Sequence, residues 1–230
     1  MIVVAVVVAM TCVGLGFWQL ARLADRRALN ARILGRASAP PVTIEGAEAN
    51  SVAYRPAIAE GTYDVADEVL LYGRSLDGEA GHHIVTPLVL ANGDTVLVVR
   101  GWVPFANQSA PVRDATPPPG EVRVRGVLVP DEGDGSAVPD ASGVIRTLDV
   151  AGIGTTLPSD LFPLPLQLTE QVPPQPGDLP MPVPLPELSE GSHLSYAIQW
   201  FAFAVVAVAG AAILVRRDAD ASRRAPTADP

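Results

Sequence analysis

Residues 82–104 read HHIVTPLVLANGDTVLVVRGWVP, and this stretch decides the class of fold. Two runs rich in β-branched residues flank the pair Asn92-Gly93. Asn-Gly supplies the positive φ angles of a type I′ turn, the tight turn that joins two antiparallel strands. The stretch therefore predicts a β-hairpin and, with it, an antiparallel sheet.

Strand-like segments also lie before and after this hairpin. Four of them have the composition or the alternation of strands: residues 68–75, 121–129, 143–150 and 162–171. The clearest is 121–129, where charged and apolar residues alternate, so one face is predicted to be wet and the other buried. Proline-rich connectors at 110–120 and 173–187 have no helix potential. A set of about five or six strands fits a small barrel or an open, curled sheet.

Two uncharged apolar segments, residues 2–18 and 196–215, lie near the ends of the chain. Each is close to the roughly 20 residues that cross about 30 Å of hydrocarbon in a helix. The first has no basic region before it and no small-x-small cleavage site, so it predicts an uncleaved span and not a signal peptide. Because it begins so abruptly, we expect the native chain to start upstream of Met1. The predicted fold class is a membrane-anchored α+β protein, in which two transmembrane helices flank one mostly antiparallel β domain.

The predicted organisation has four parts: a first transmembrane helix at 1–20, an extracytoplasmic β domain at 21–195, a second transmembrane helix at 196–215 and a cytoplasmic tail at 216–230. Arginines follow both spans. Under the positive-inside rule, those after the first span favour a cytoplasmic β domain, whereas those after the second favour a cytoplasmic C-terminus. The short tail carries more weight, since long domains translocate largely regardless of their charge. We therefore expect a multi-pass protein of the cell membrane with its large domain outside the cytoplasm. The apolar pattern of residues 19–37 predicts that the first helix continues beyond the bilayer.

Charge is unevenly distributed along the chain. Residues 37–215 hold seven arginines against 21 acidic residues, whereas the other nine arginines lie close to the apolar segments. Nucleic acid is not an expected partner, because binding it needs a basic footprint. The arginines near the spans are placed to meet the anionic headgroups of a lipid bilayer. A single cysteine, Cys12, excludes an intramolecular disulfide.

The sequence contains no motif of nucleophilic or phosphate chemistry. Gly-x-Ser-x-Gly, Gly-x-x-x-x-Gly-Lys and Gly-x-Gly-x-x-Gly patterns do not occur in it. His82 and His83 are adjacent in a predicted strand, so they point to opposite faces and are poorly placed to share a metal ion. We expect a structural or surface role for this pair and no enzymatic activity, with a membrane-anchored extracytoplasmic hydrolase as the enzymatic alternative.

The start of the second apolar segment carries unusual side chains for a membrane span. Helical spacing places four of them on one face: His193, Tyr196, Trp200 and Phe203. Ala207 and Ala211 continue this face as a small-x-x-x-small pair suited to packing against another helix. Two interpretations remain open. The imidazole is a potential axial ligand of haem iron, or the face is an aromatic belt at the membrane surface with an incidental histidine.

Four stretches, in order along the chain, carry a family resemblance: GLGFWQLARL (14–23), YRPAIAEGTYDVADEVLLYGRS (54–75), GHHIVTPLVLANGDTVLVVRGWVP (81–104) and HLSYAIQWFAFA (193–204). They resemble the Surfeit locus protein 1 family, the cytochrome c oxidase assembly factors of mitochondria and bacteria. Residues 131–187 carry no signature of this family, and His82 departs from its pattern.

The resemblance implies a role in the assembly of an aa3-type oxidase, as an assembly factor or accessory subunit that assists insertion of haem a into the large subunit. It implies that His193 binds haem iron, transiently, with Tyr196 and Trp200 packing the macrocycle. The alternatives are a haem carrier in its own right, or a permanent structural subunit of a respiratory complex that binds no haem.

Four more residues are candidates for binding the oxidase subunits. In the family stretch that ends in Arg-Gly-Trp-Val-Pro, Arg100, Gly101 and Trp102 serve either the fold or a docking surface. Gln199 lies off the helical stripe and is predicted either to contact a partner or to cap the membrane interface.

Overall fold

The computed structural model describes residues 2–48, 52–185 and 188–224, with side chains as far as Arg217. Two compact units result, one from residues 33–186 and one from residues 1–32 together with 187–230. The helices are α1 (Ile2–Ala37), α2 (Val150–Gly154) and α3 (His193–Arg224), and a 3₁₀ turn covers Arg113–Ala115. The strands are β1 (Val42–Thr43), β2 (Pro56–Tyr63), β3 (Val69–Leu76), β4 (Glu79–Leu90), β5 (Thr95–Pro104), β6 (Glu121–Leu128), β7 (Val144–Ile145) and β8 (Leu166–Val172).

Five strands of the β domain close into a barrel in the order β2-β6-β8-β5-β4, with β4 returning to β2. Neighbouring strands of the barrel are antiparallel except β5 and β8, which run parallel. β3 extends the sheet beyond β4, and the short strands β7 and β1 lie at its two ends. The predicted fold class, a mostly antiparallel β domain with one apolar helix before it and one after it in the sequence, is confirmed, and the sheet is the small barrel.

The strand β5 is buried on both of its faces. Val96 and Val98 belong to the barrel core, while Leu97 and Val99 pack with Ile153 of α2 in a second core. Because one strand serves two cores, residues 96–99 form a continuous apolar run and do not alternate with polar residues.

Closure of the barrel depends on a glycine in β2. Gly61 pairs with Val122 of β6 and with Leu90 of β4, so the strand has partners on both sides at this point. A Cβ atom at Gly61 would overlap the carbonyl oxygen of Val89. A residue without a side chain is therefore required where these backbones approach each other.

The hairpin of β4 and β5 is confirmed, but its predicted turn type is wrong. Gly93 has a φ of +90°, and Asn92 is not among the residues with positive φ. The N–H of Gly93 donates to the carbonyl of Leu90 at 3.0 Å, and the N–H of Leu90 donates to the carbonyl of Asp94 at 2.8 Å. The loop therefore holds three residues and ends in a left-handed glycine, where a type I′ turn would hold two.

The other strand predictions have mixed outcomes. β3, β6 and β8 confirm three of the four segments. The fourth, 143–150, forms only the two-residue β7 before the chain enters α2, because the Asp149 carboxylate caps that helix by accepting the N–H of Gly152. β2 is not among the predicted strands, since small residues such as Ala57 and Ala59 take its inward positions.

Both long helices are long and apolar enough to cross a membrane: Ile2–Ala37 has 36 residues and His193–Arg217 has 25. α1 runs without interruption past residue 20, as its pattern predicts, and ends before Pro40 and Pro41, which cannot continue a helix. α3 includes residues 216–224 of the predicted tail, and residues 225–230 lie outside the described part of the chain.

Candidate functional site

The histidine singled out by the sequence lies at the first residue of α3 and is tied to α1. Nδ1 of His193 is 2.9 Å from Oε1 of Gln19, a residue 174 positions earlier in the chain. Both side chains are half-buried. This hydrogen bond joins the family stretch at the end of the first apolar segment to the one at the start of the second.

The segment that leads into α3 is held by two more side chains of α1. The Arg27 guanidinium donates twice to the Glu190 carboxylate, with both N–O distances 2.8 Å. The Asn30 carboxamide donates to the carbonyls of Leu188 and Ser189 at 3.1 and 3.3 Å. The ion pair is exposed and contributes little stability, but Asn30 is buried, so the approach to His193 is fixed from the α1 side.

The two helices pack along a seam that differs from the predicted aromatic stripe. Ala197 and Ala204 of α3 are buried, and the Phe201 ring lies against Gly16, where a Cβ atom would come within 2.6 Å of that ring. Phe17 meets Phe201 edge to face at 5.4 Å. The small residues thus mark the contact, as membrane helix pairs usually do.

The predicted site residues of α3 differ in how far they are exposed. His193 is half-buried against Gln19 of α1 and Trp200 is also half-buried, whereas Tyr196 and Phe203 expose 48% and 54% of their surface. Trp200 contacts Phe203 edge to face at 5.9 Å. Gln199, which lies off the predicted stripe, is exposed as well.

In the β domain, Arg100 lies at the centre of a buried polar network. Its guanidinium donates to the Glu68 carboxylate at 3.1 Å, to the carbonyl of Ala115 at 2.7 Å and to the carboxamide oxygen of Gln175 at 2.8 Å. It also lies 5.2 Å from the ring centre of Tyr63. The side chains of Arg100 and Glu68 are 0% and 1% exposed. One strand residue thus ties together the loop before β6 and the loop after β8.

The Glu68 carboxylate is the counter-charge that this network requires. It also accepts the Val112 N–H at 2.9 Å and the Thr86 hydroxyl at 2.8 Å. Burial raises the pKa of Glu68, and these two donors together with Arg100 act in the opposite direction. Glu68 is not among the site residues predicted from the sequence, although an arginine within a buried apolar run does predict a buried acidic partner.

Gly101 and Trp102 hold the proline-rich connector against β5. Trp102 and Met181 exchange two backbone hydrogen bonds of 2.8 Å, and the Trp102 indole donates to the carbonyl of Arg74 at 3.2 Å. A side chain at Gly101 would collide with Pro180 and Met181. Arg100 and both of these residues are buried, so their contacts support the fold alternative. Partner binding stays a prediction for all three and for Gln199.

His82 and His83 have separate surroundings, as expected for adjacent residues of a strand. His82 is buried and stacks on Phe105, with ring centres 5.2 Å apart, and also contacts Tyr72. His83 is half-buried beside a cavity of about 430 Å³, which Arg74 also lines. Burial, and then the nearby Arg74 guanidinium, lower the pKa of His83 from 6.5 to about 4.

Stability of the β domain is expected to fall as the pH decreases from 6.5 to about 4. In this range the unfolded chain binds a proton at His83 that the folded chain does not bind, so protonation favours unfolding. We expect a loss on the order of 1–2 kcal/mol, because solvent screens the partly exposed ring. Urea unfolding of the full chain in detergent at several pH values measures it. His83→Gln should remove this part of the pH dependence, and an unchanged profile in that variant would contradict the assignment.

The fold defines a class of protein: a small closed β-barrel with a long apolar helix before it and another after it in the sequence. The model of the SURF1 family matches residues 6–205, and the chain belongs to this family. The resemblance described above is thus confirmed, and membership of this family implies a general link to cytochrome c oxidase assembly.

Individual relatives are similar over most of their length. A SURF1-like protein of Rickettsia felis is 26% identical over 200 residues, which cover 84% of this chain and 87% of the relative. One of Monosiga brevicollis is 28% identical over 230 residues, covering 93% and 87%. An uncharacterized SURF1-like protein of Mycobacterium tuberculosis is 27% identical over 228 residues, covering 93% and 81%.

Proposed function

We propose that this chain is a non-enzymatic assembly factor or accessory subunit of an aa3-type cytochrome c oxidase. In this role it assists insertion of haem a into the large oxidase subunit, holding the haem transiently at His193. Family membership supports the link to the oxidase. The observation that carries the haem assignment is a half-buried imidazole, hydrogen-bonded to a second helix, at the start of an apolar helix.

The surroundings of His193 fit a haem. Its Nδ1 is engaged by Gln19, which leaves Nε2 as the nitrogen for a metal, and imidazole is a common axial ligand of haem iron. Gly191 has no side chain beside the ring, where a Cβ atom would lie 3.6 Å from Nε2. Leu194 and Tyr196 expose 47% and 48% of their surface and offer apolar area to a macrocycle. When bound, haem a would supply the redox-active iron that the oxidase needs.

Three side chains of α3 would orient the haem in this role. His193 would hold the iron, and Tyr196 and Trp200 would pack against the macrocycle from the same helix. The length and composition of α1 and α3 support a membrane setting for this role. In it both helices span the cell membrane, and the barrel lies outside the cytoplasm, because arginines such as Arg216 and Arg217 follow the second span.

His193→Ala is expected to abolish haem binding without unfolding the barrel. The full chain would be purified in mild detergent from cells that make haem a, and its absorption spectrum compared with that of the variant. The wild type should show a Soret band that the variant lacks, while His83→Gln, a histidine change far along the sequence, keeps it. An unchanged spectrum in His193→Ala would contradict the assignment.

A deletion strain tests the wider role in assembly. Haem a content and oxidase activity should fall while synthesis of the oxidase subunits continues. Normal haem a spectra in that strain would overturn the proposal. Stoichiometric co-purification with mature oxidase, with no haem on this chain, would favour the alternative of a permanent structural subunit.

A further inference from the structure

Gln19 is the side chain that meets the ring of His193 in the described part of the chain. It lies on the face of α1 that packs inward, since Cys12, Gly16 and Leu23 are buried at spacings of three and four residues around it. A carboxamide on the packed face of an apolar helix is costly unless it has a partner. The contact with His193 supplies that partner.

The atoms in this contact determine the state of the imidazole. A carboxamide oxygen can only accept, so the hydrogen bond to Gln19 Oε1 requires the proton on Nδ1 of His193. A neutral imidazole then has its lone pair on Nε2, the nitrogen beside Gly191. The other tautomer would place an N–H on Nε2 and make it unable to bind a metal.

The backbone before His193 is held by the same helix that carries Gln19. Arg27 and Asn30 contact residues 188–190, at eight and eleven positions after Gln19 along α1. Gly191 follows with a φ of +71°, a conformation that glycine adopts readily. The imidazole of His193 is thereby held at two points, through its backbone and through Nδ1. These two restraints limit the directions in which Nε2 can point.

We propose that Gln19 is a positioning residue for His193: it fixes the tautomer and the orientation that present Nε2 as a ligand. This inference deepens the proposed function and rests on it for the identity of the ligand. Hydrogen bonds from a ligating histidine to such an acceptor orient the ring and raise its basicity. Their loss typically costs about 10–100-fold in metal affinity.

The binding experiment uses the full-length chain in detergent, titrated with haemin as the probe. Gln19→Leu should weaken haemin binding by about 10–100-fold. Gln19→Glu keeps an acceptor and makes it anionic, so it should retain the affinity and lower the midpoint potential of the bound iron. Ala21→Leu, an exposed change on the same helix, serves as the matched control and should bind like the wild type.

A second measurement needs no haem, so it tests the role of Gln19 independently of the proposed haem site at His193. Nitrogen-15 NMR of the haem-free chain at about pH 8.5, where imidazoles are neutral, reports which ring nitrogen of His193 carries the proton. The His193→Ala variant identifies the signals. The wild type and Gln19→Glu should show a protonated Nδ1, and Gln19→Leu should lose this preference.

Each outcome tests either the positioning role of Gln19 or the proposed haem site at His193. A protonated Nε2 in the wild type, or a tautomer and an affinity unchanged in Gln19→Leu, would overturn the role of Gln19. Loss of binding in Gln19→Glu as severe as in Gln19→Leu would do the same, because it would show that the carboxamide acts as a donor. Haemin binding that survives in His193→Ala would overturn the proposed haem site, while the NMR result would still decide the role of Gln19.

Discussion

Replacing Arg100 with methionine is expected to lower the free energy of unfolding of the β domain by about 3–5 kcal/mol. The change removes a guanidinium that is fully buried and leaves the carboxylate of Glu68 without its counter-charge. It also takes donors away from the Ala115 carbonyl and from Gln175. The loss of stability should come from the unpaired carboxylate of Glu68 and not from a cavity, since methionine fills a volume similar to that of arginine.

A double variant separates that charge effect from a loss of packing. Glu68→Leu combined with Arg100→Met leaves neither charge in the interior and should be more stable than Arg100→Met alone. Urea unfolding can be followed through the fluorescence of Trp102, the one tryptophan of the three that lies in the barrel unit. A double variant no more stable than the single one would show that the ion pair is not the source of the effect.

Replacing Gly61 with alanine is expected to destabilise the barrel by about 3 kcal/mol. Glycine inside a strand is usually the less stable choice, by roughly 0.5–1 kcal/mol relative to alanine. At Gly61 we expect the opposite, with alanine the less stable residue, because its Cβ atom would overlap the carbonyl oxygen of Val89 where β4 meets β2. The strands must separate to accommodate it, at the pairing that closes the barrel.

The neighbouring residue provides the matched control for this change. Thr62→Val alters the next position of β2, pairs with the same Val89 and lies on the exposed face. It should change stability by less than about 0.5 kcal/mol. Hydrogen exchange would localise the effect, since the amides of β2 and β4 should lose protection in Gly61→Ala and keep it in Thr62→Val. Equal stability of the two variants would contradict the role assigned to the glycine.

Much of the fold can be predicted from local sequence patterns. The hairpin of β4 and β5 is evident because both strands are rich in β-branched residues, and the two apolar helices from length and lack of charge. The closure between β2 and β4 is not evident, since it depends on pairing between segments far apart in the sequence. A strand with alanine and glycine at its inward positions carries too little β propensity to be recognised by itself.

Less of the candidate site follows from the sequence. Helical periodicity placed His193, Tyr196 and Trp200 on one stripe, but in the structure His193 and Trp200 are half-buried and Tyr196 is exposed. Periodicity defines a stripe, and the residues of the opposing helix decide which edge of that stripe is covered. Gln19 was missed, although a polar residue between Gly16 and Leu23 on the packed side of an apolar helix is itself a signal.

The way the sheet ends restricts how this barrel can meet another protein. Its two outermost strands, β1 and β7, have only two residues each, and β3 is interrupted by a bulge between Tyr72 and Arg74. A strand from another chain needs a long, regular row of free N–H and carbonyl groups to add to a sheet. Addition of a strand from another chain to the edge of this sheet is therefore disfavoured, whether that chain is a second copy or another protein. Specificity in any complex must come from side chains and from the two helices.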